Sequence, residues 1–287
     1  MQKIKQWIET HARPLDLAFY EYIHHKGFKS TVIKALEKYQ NADGGFAHGI
    51  EPDNLNPNSS AIQTAFAIEY IKQINLEDNH PMIKNTVKYL LDTLPDDGLY
   101  PAVVASNEDY PHAIWWDYHE GECIWGYNPS VALWAFIYKH HKQLSIKKLL
   151  VRAFMSFVNQ PTNDMHELKS FVDAYEFLYD LRDEFLTFPI FEKILKKQLI
   201  ETASMYNGYE REYKATPLTF CSHPKQHVFD ILKPMIDIEL KDLIKALEEY
   251  DIWPIYFNWQ QYPKSYEEAK IIWQSINAIK YLNFLSL

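Results

Sequence analysis

The feature that most constrains this chain is an unbroken train of helical periodicities whose connections alternate between short and long. Apolar residues recur at three-to-four spacing in about twelve segments, as expected of helices that each bury one face. Two segments open the chain, at about 2–11 and 14–25. Ser30 caps the next, carrying Val32, Ile33, Leu36 and Tyr39. Another runs from about Ser59, and Pro81 suits the first turn of the one after it. Asn128 and Pro129 read as a cap and first turn opening 131–138, and Ser145 opens 149–158. Asp164 with Glu167, and Ser265 with Glu268, have capping-box spacing and open helices over 165–179 and 269–282. Periodicity gives further helices at about 189–203 and 240–250, whereas 217–232 is interrupted by Cys221-Ser222-His223-Pro224.

Twelve helices make about six hairpins. Short connections are expected at 26–29, 75–80, 142–144, 182–186 and 233–237, and long ones at 41–58, 93–128, 204–216 and 251–264. A train of hairpins can close into a ring, with one helix of each pair inside and one outside. The expected fold is therefore all-α: a single (α/α)6 toroid over residues 1–287 with its long loops on one rim. Long loops in a compact domain usually serve function, and these are too aromatic to be disordered.

Composition excludes several alternatives. Eight glycines in 287 residues argue against a glycine-rich nucleotide-binding fold. A net charge of -9 with only four arginines is the reverse of a nucleic-acid binder's balance. No apolar run is long enough to span a bilayer, and the N-terminus lacks a signal-peptide core. The two cysteines, Cys123 and Cys221, form no disulfide framework. The expectation is a cytoplasmic protein that partners neither nucleic acid nor membrane, with its oligomeric state open.

Degenerate internal similarity supports a hairpin array. Asp43-Gly44-Gly45-Phe46, Asp97-Gly98-Leu99-Tyr100 and Asp251-Ile252-Trp253 each follow a helix and place an aromatic at the same point. The first of these, within "YQNADGGFAHG" and followed by "NPNSSAIQTAFAIEYI", resembles the repeat of squalene and terpenoid cyclases and of protein prenyltransferase β subunits. In that repeat a Gln ends the outer helix, Asp-Gly-Gly-aromatic makes the turn, and an Ala-rich inner helix follows. Gln40, Asp43, Gly44, Gly45 and Phe46 match it. The resemblance is clearest over 30–74, weaker over 81–141 and faint over 238–283. It implies an α/α toroid and an apolar, isoprenoid-like ligand in an aromatic-lined central cavity. It does not carry over a mechanism. The D-x-D-D proton donor of the cyclases has no counterpart, nor has the D-x-C zinc motif of the prenyltransferases. Physically, the matching residues suit a brace: glycines turn the chain, Asp43 accepts amide bonds, and Phe46 packs between hairpins.

The expected rim carries the candidate chemistry. Trp115, Trp116, Trp125, Trp253 and Trp259 fall on its loops, where an indole must either pack or bind. Asp117, His119, Glu122 and Cys123 lie among the first three, and the 41–58 loop adds His48, Glu51 and Asp53. Tyr209 comes from a third loop. Carboxylates beside tryptophans suit acid/base catalysis, with Glu51, Asp117, His119 and Glu122 as candidates. His48, Asp53, Trp115, Trp116, Trp125, Tyr209, Trp253 and Trp259 are candidate ligand contacts. These residues fit an oligosaccharide-cleaving enzyme, an isoprenoid-type ligand or a binding protein without catalysis. A metal site from His48, Glu51, Asp117, His119, Glu122 or Cys123 is a further reading, since their types suit zinc or a harder cation; their spacing matches no specific ligand motif, so no metal ligand is assigned and the cofactor is left open. "CSHPKQH" (221–227) reads as a turn, and His24-His25 and His140-His141 as helix ends.

Overall fold

The computed structural model describes residues 2–24, 26–208 and 213–286, so the Tyr209 expectation lies outside the described residues. The described residues form α-helices and short 3-10 turns, with three isolated β-bridges and no strand. In chain order the helices are α1 (Gln2–His11), α2 (Pro14–Ile23), α3 (Lys29–Leu36), α4 (Ala61–Gln73), α5 (Pro81–Asp92) and α6 (Ser130–His140). Then come α7 (Leu144–Asn159), α8 (Met165–Leu178), α9 (Phe188–Ala203), α10 (Pro217–Phe220), α11 (Phe229–Ala246) and α12 (Pro263–Leu285).

Local chemistry sets most helix starts. Ser60 caps α4 by accepting from Gln63 N, and Asp164 caps α8 by accepting from the amides of His166 and Glu167. Pro81 opens α5, where its missing N–H costs nothing. Two starts differ from the sequence reading. α12 begins at Pro263, behind Tyr262 in a left-handed conformation, and Ser265 caps nothing. α10 is only four residues long, and α11 then runs through Pro234 instead of pausing at 233–237. The buried stripe of Leu232, Ile236 and Leu243 carries the helix past the single donor that Pro234 lacks.

α6 is apolar on every side, with Val131, Leu133, Trp134, Phe136 and Ile137 all buried, because it packs against α4, α5, α7 and α8 together. α8 lies against α6 and α10, while α7, α9 and α11 are successive neighbours. α12 packs on both α1 and α2, so the two ends of the chain meet.

The aromatic repeats are braces. Trp253 Nε1 donates to Leu243 O at 2.9 Å, and the Tyr100 hydroxyl donates to Leu90 O. Each bond reaches back ten positions, onto the helix before its loop. Phe46 is fully buried, and its amide donates to Thr64 Oγ1 at 3.1 Å. Gln40 Nε2 lies within hydrogen-bond distance of Gly44 O, Met82 O and Thr86 Oγ1, tying the first turn to α5. Gly44, at φ 93°, passes so close to α5 that a Cβ would sit 2.2 Å from Asn85 O.

A second, smaller core lies under the long loops. Val103, Ala113, Trp116, Trp259, Tyr266 and Ala269 are buried there, with Trp115 and Trp125 packed against them. It joins loop 93–129, loop 247–262 and α12, and it floors the candidate site.

Candidate active site

The arch 49–56 is held rigidly before any of its side chains acts. Arg13, buried at the start of α2, donates from Nη1 to Gly49 O at 2.7 Å and from Nη2 to Ile50 O at 2.9 Å. Its Nε pairs with Asp16 Oδ2 at 2.6 Å, and the Tyr70 hydroxyl donates to Asp16 Oδ1 at 2.5 Å. Gln63 closes the arch from α4, accepting from Gly49 N and donating to Asn56 O.

Three asparagines join the arch to the next long loop. Asn54 Nδ2 and Asn56 Nδ2 both donate to Asn107 Oδ1, and Asn107 Nδ2 donates to Trp116 O at 3.0 Å. Backbone bonds from Leu55 N to Pro111 O and from Ala113 N to Asp53 O complete the seam. Ile114 N donates to Trp259 O, bringing in the 247–262 loop.

Glu51 and Asp53 project from this frame, 6% and 3% exposed. Asp53 Oδ1 accepts from Trp259 Nε1 at 2.7 Å and from Trp273 Nε1 at 2.8 Å. Burial lifts the Asp53 pKa to about 6, against the pull of the two indole donors. Glu51 is pushed well above the ordinary carboxyl value, first by burial and then by the neighbouring Asp53 charge. Two carboxyl groups two positions apart are thus both raised by burial, and Glu51 further by the Asp53 charge, which marks Glu51 as the more weakly acidic of the pair.

Glu51 Oε2 is buried without a hydrogen-bond partner, and so is the indole nitrogen of Trp116. The Trp116 N–H is directed at the Glu51 carboxyl and pulls its pKa down, but the contact falls short of a well-formed hydrogen bond. Both groups are left under-satisfied in a buried setting, which is costly. One ligand hydroxyl beside them would complete both.

Aromatic rings surround the pair. Trp116 stacks on Trp125 at 5.2 Å, and Phe257 meets Trp115, Trp273 and Tyr213 edge-on. The Tyr213 phenol is raised by desolvation and then by the Asp53 and Glu51 charges. Its hydroxyl lies 3.4 Å from His166 Nε2. His166, Asp164, Glu167, Trp125, Gly126 and Asn128 line an adjoining hollow of about 270 Å³. Trp125, which lines the hollow, stacks on Trp116, whose N–H is directed at Glu51.

The other expected residues are spread out. Asp117 Oδ1 accepts from Gln261 Nε2 at 2.9 Å and lies 2.9 Å from His112 Nε2. His119 and Glu122 are exposed, and Cys123 is bonded to the His119 carbonyl. His48 is exposed at φ 63°, its ring tied to Asn41 Oδ1. Trp253 sits in the main core as a brace.

Sequence reasoning missed Trp273, Tyr213, Phe257, His112 and Gln261. Trp273 lies on a helix whose apolar spacing is indistinguishable from ordinary core. The others become informative only once loops distant in sequence are brought together.

A separate charged cluster lies between α4 and α8. Lys169 contacts Glu69 at 3.4 Å and Asp173 at 2.5 Å, and Lys72 contacts the same two at 3.7 and 3.3 Å. Among the described residues no helix is long and apolar enough to cross a membrane. No known protein family, curated protein or solved structure matches this chain.

Proposed function

We propose that this protein is an acid/base enzyme that cleaves a hydroxyl-rich substrate of the oligosaccharide class, with Glu51 as proton donor and Asp53 as its ionised partner. The observation that carries this reading is the under-satisfied pair of Glu51 Oε2 and Trp116 Nε1, both buried without a well-formed partner, with the indole N–H directed at the carboxyl. A sugar hydroxyl or glycosidic oxygen is both donor and acceptor and completes the set. Asp53, kept anionic above about pH 6, would stabilise positive charge at the reacting carbon or activate water. The half-buried Trp125 and the exposed Tyr213 supply flat faces on which sugar rings stack.

The same reading takes the twelve helices as a closed α/α ring. It is supported by the packing of α12 on α1 and α2 and by the four long loops that follow α3, α5, α9 and α11. The free thiols of Cys123 and Cys221 suit work in the cytoplasm.

The test is a panel of oligosaccharides and aryl glycosides, read by tryptophan fluorescence for binding and by reducing-sugar release for turnover. A member of the panel is expected to bind and be cleaved. Glu51→Gln should bind it and turn it over at least roughly a hundredfold more slowly. The reading fails if nothing in the panel binds, or if Glu51→Gln cleaves at the wild-type rate.

A further inference from the structure

A second cluster lies along the same seam. The His112 ring is 2% exposed. Its Nδ1 lies 2.6 Å from Tyr110 O. A carbonyl can only accept, so Nδ1 donates to it. The other ring nitrogen, Nε2, faces Asp117 Oδ1 at 2.9 Å and Glu108 Oε1 at 3.9 Å. A buried imidazole nitrogen and two carboxylate oxygens are thereby brought together.

We propose that Glu108, His112 and Asp117 form a binding site for a first-row divalent cation of the zinc type. One ligand atom from each residue lies within 4.8 Å of the other two. Bonds of about 2.0–2.2 Å to zinc put tetrahedral donors roughly 3.3–3.6 Å apart, so the exposed Glu108 side chain would draw in to close the triangle around an ion. The donor set, one imidazole and two carboxylates, is borderline in hardness and suits zinc or manganese.

Each ligand also has the outer support that metal ligands need to keep their orientation. Tyr110 O fixes the His112 tautomer. Glu108 Oε1 accepts from Tyr118 N at 2.6 Å. Asp117 Oδ1 accepts from Gln261 Nε2, whose other contact is His112 O, both at 2.9 Å. Three protein ligands leave room for water. A bound ion would lock residues 108–117 as one unit, and through Gln261 it would fasten loop 247–262, which carries Trp259. Its role is thus to hold Trp259 against Asp53, a consequence independent of what the acid pair cleaves.

The full chain, stripped of metal by chelator, should be titrated with zinc chloride by calorimetry, with native mass spectrometry giving the stoichiometry. One zinc per chain is expected, together with a rise in Tm that the chelator reverses. Glu108→Gln and Asp117→Asn keep their acceptor oxygens for Tyr118 N and Gln261, so they should fold. They should weaken zinc by more than roughly tenfold each. Three results would overturn the site. One is no zinc retained at micromolar concentrations. Another is zinc binding that both variants leave unchanged. The third is a second proton on His112, seen by NMR as an imidazolium that persists when zinc is added.

Discussion

Asp53 and Trp259 stand 206 positions apart in the chain and share a 2.7 Å hydrogen bond in a fully buried setting. Trp273, from the last helix, donates to the same oxygen at 2.8 Å. The first long loop therefore cannot reach its native shape until the end of the chain has arrived. The two indoles also explain how a carboxylate can be ionised there at all: burial alone would hold it protonated.

Trp259→Phe tests this directly. It keeps an aromatic ring, though a smaller one, and deletes one donor to a buried carboxylate. The expected cost is about 1–3 kcal/mol in urea unfolding at pH 7. It should shrink at pH 4, where Asp53 is protonated in both proteins. An equal cost at both values would mean that ring packing, and not the bond to Asp53, is what the substitution removes.

The raised Asp53 pKa makes a signed prediction. Its folded value of about 6 lies above the ordinary 3.8. Between those values the native state binds more protons than the unfolded chain, so this group's contribution to stability falls as pH rises from about 4 to 6 and is flat outside that window. Asp53→Asn removes that dependence and keeps an acceptor for both indoles. Relative to wild type the variant should gain at most about 3 kcal/mol across the window. Unfolding free energies measured at several pH values give the difference curve, and a flat curve would contradict the assignment.

The charged quartet between α4 and α8 should be asymmetric. Lys169 lies closer to both Glu69 and Asp173 than Lys72 does. Removing either lysine strands buried carboxylates. Lys169→Met should cost about 2–4 kcal/mol and Lys72→Met less, since the side chains keep some solvent contact. Chemical denaturation of both variants checks the order, and equal costs would indicate a quartet that rearranges around whichever lysine remains.

These residues also show what a sequence can and cannot reveal. Helices were legible because each carries its own period, and the Asp164 cap because its three-residue spacing is local. The start of α12 was not, since Pro263 and the left-handed Tyr262 override a Ser265 pattern that was equally good on paper. Glu51 and Asp53 stood out as carboxylates in a long glycine-containing loop. That both carboxyls are raised, and that Asp53 is held in check by two indole donors, depends on Trp116, Trp259 and Trp273, which arrive from elsewhere. His112 looked like one histidine among twelve, and only the carbonyl and the two carboxylates around it give it a role.

The last prediction concerns Arg13, which touches neither carboxyl group of the pair. Its guanidinium makes three bonds of 2.9 Å or less, to Gly49 O, to Ile50 O and to Asp16 Oδ2, and a longer one to the Tyr70 hydroxyl at 3.4 Å. The residue after Ile50 is Glu51, so the fork sets where that acid stands. Arg13→Lys keeps the positive charge and loses the fork, because an ammonium is a point donor on a flexible stem. At least one of the two arch carbonyls should then be left buried and unpaired. Stability should drop by about 2–3 kcal/mol. Any turnover that depends on Glu51 should fall further than the unfolded fraction accounts for, since misplacing a catalytic group by about 1 Å costs roughly a hundredfold. Denaturation curves and rates measured together separate the two effects. A stable Arg13→Lys protein with wild-type turnover would mean that Gln63 alone holds the arch in place.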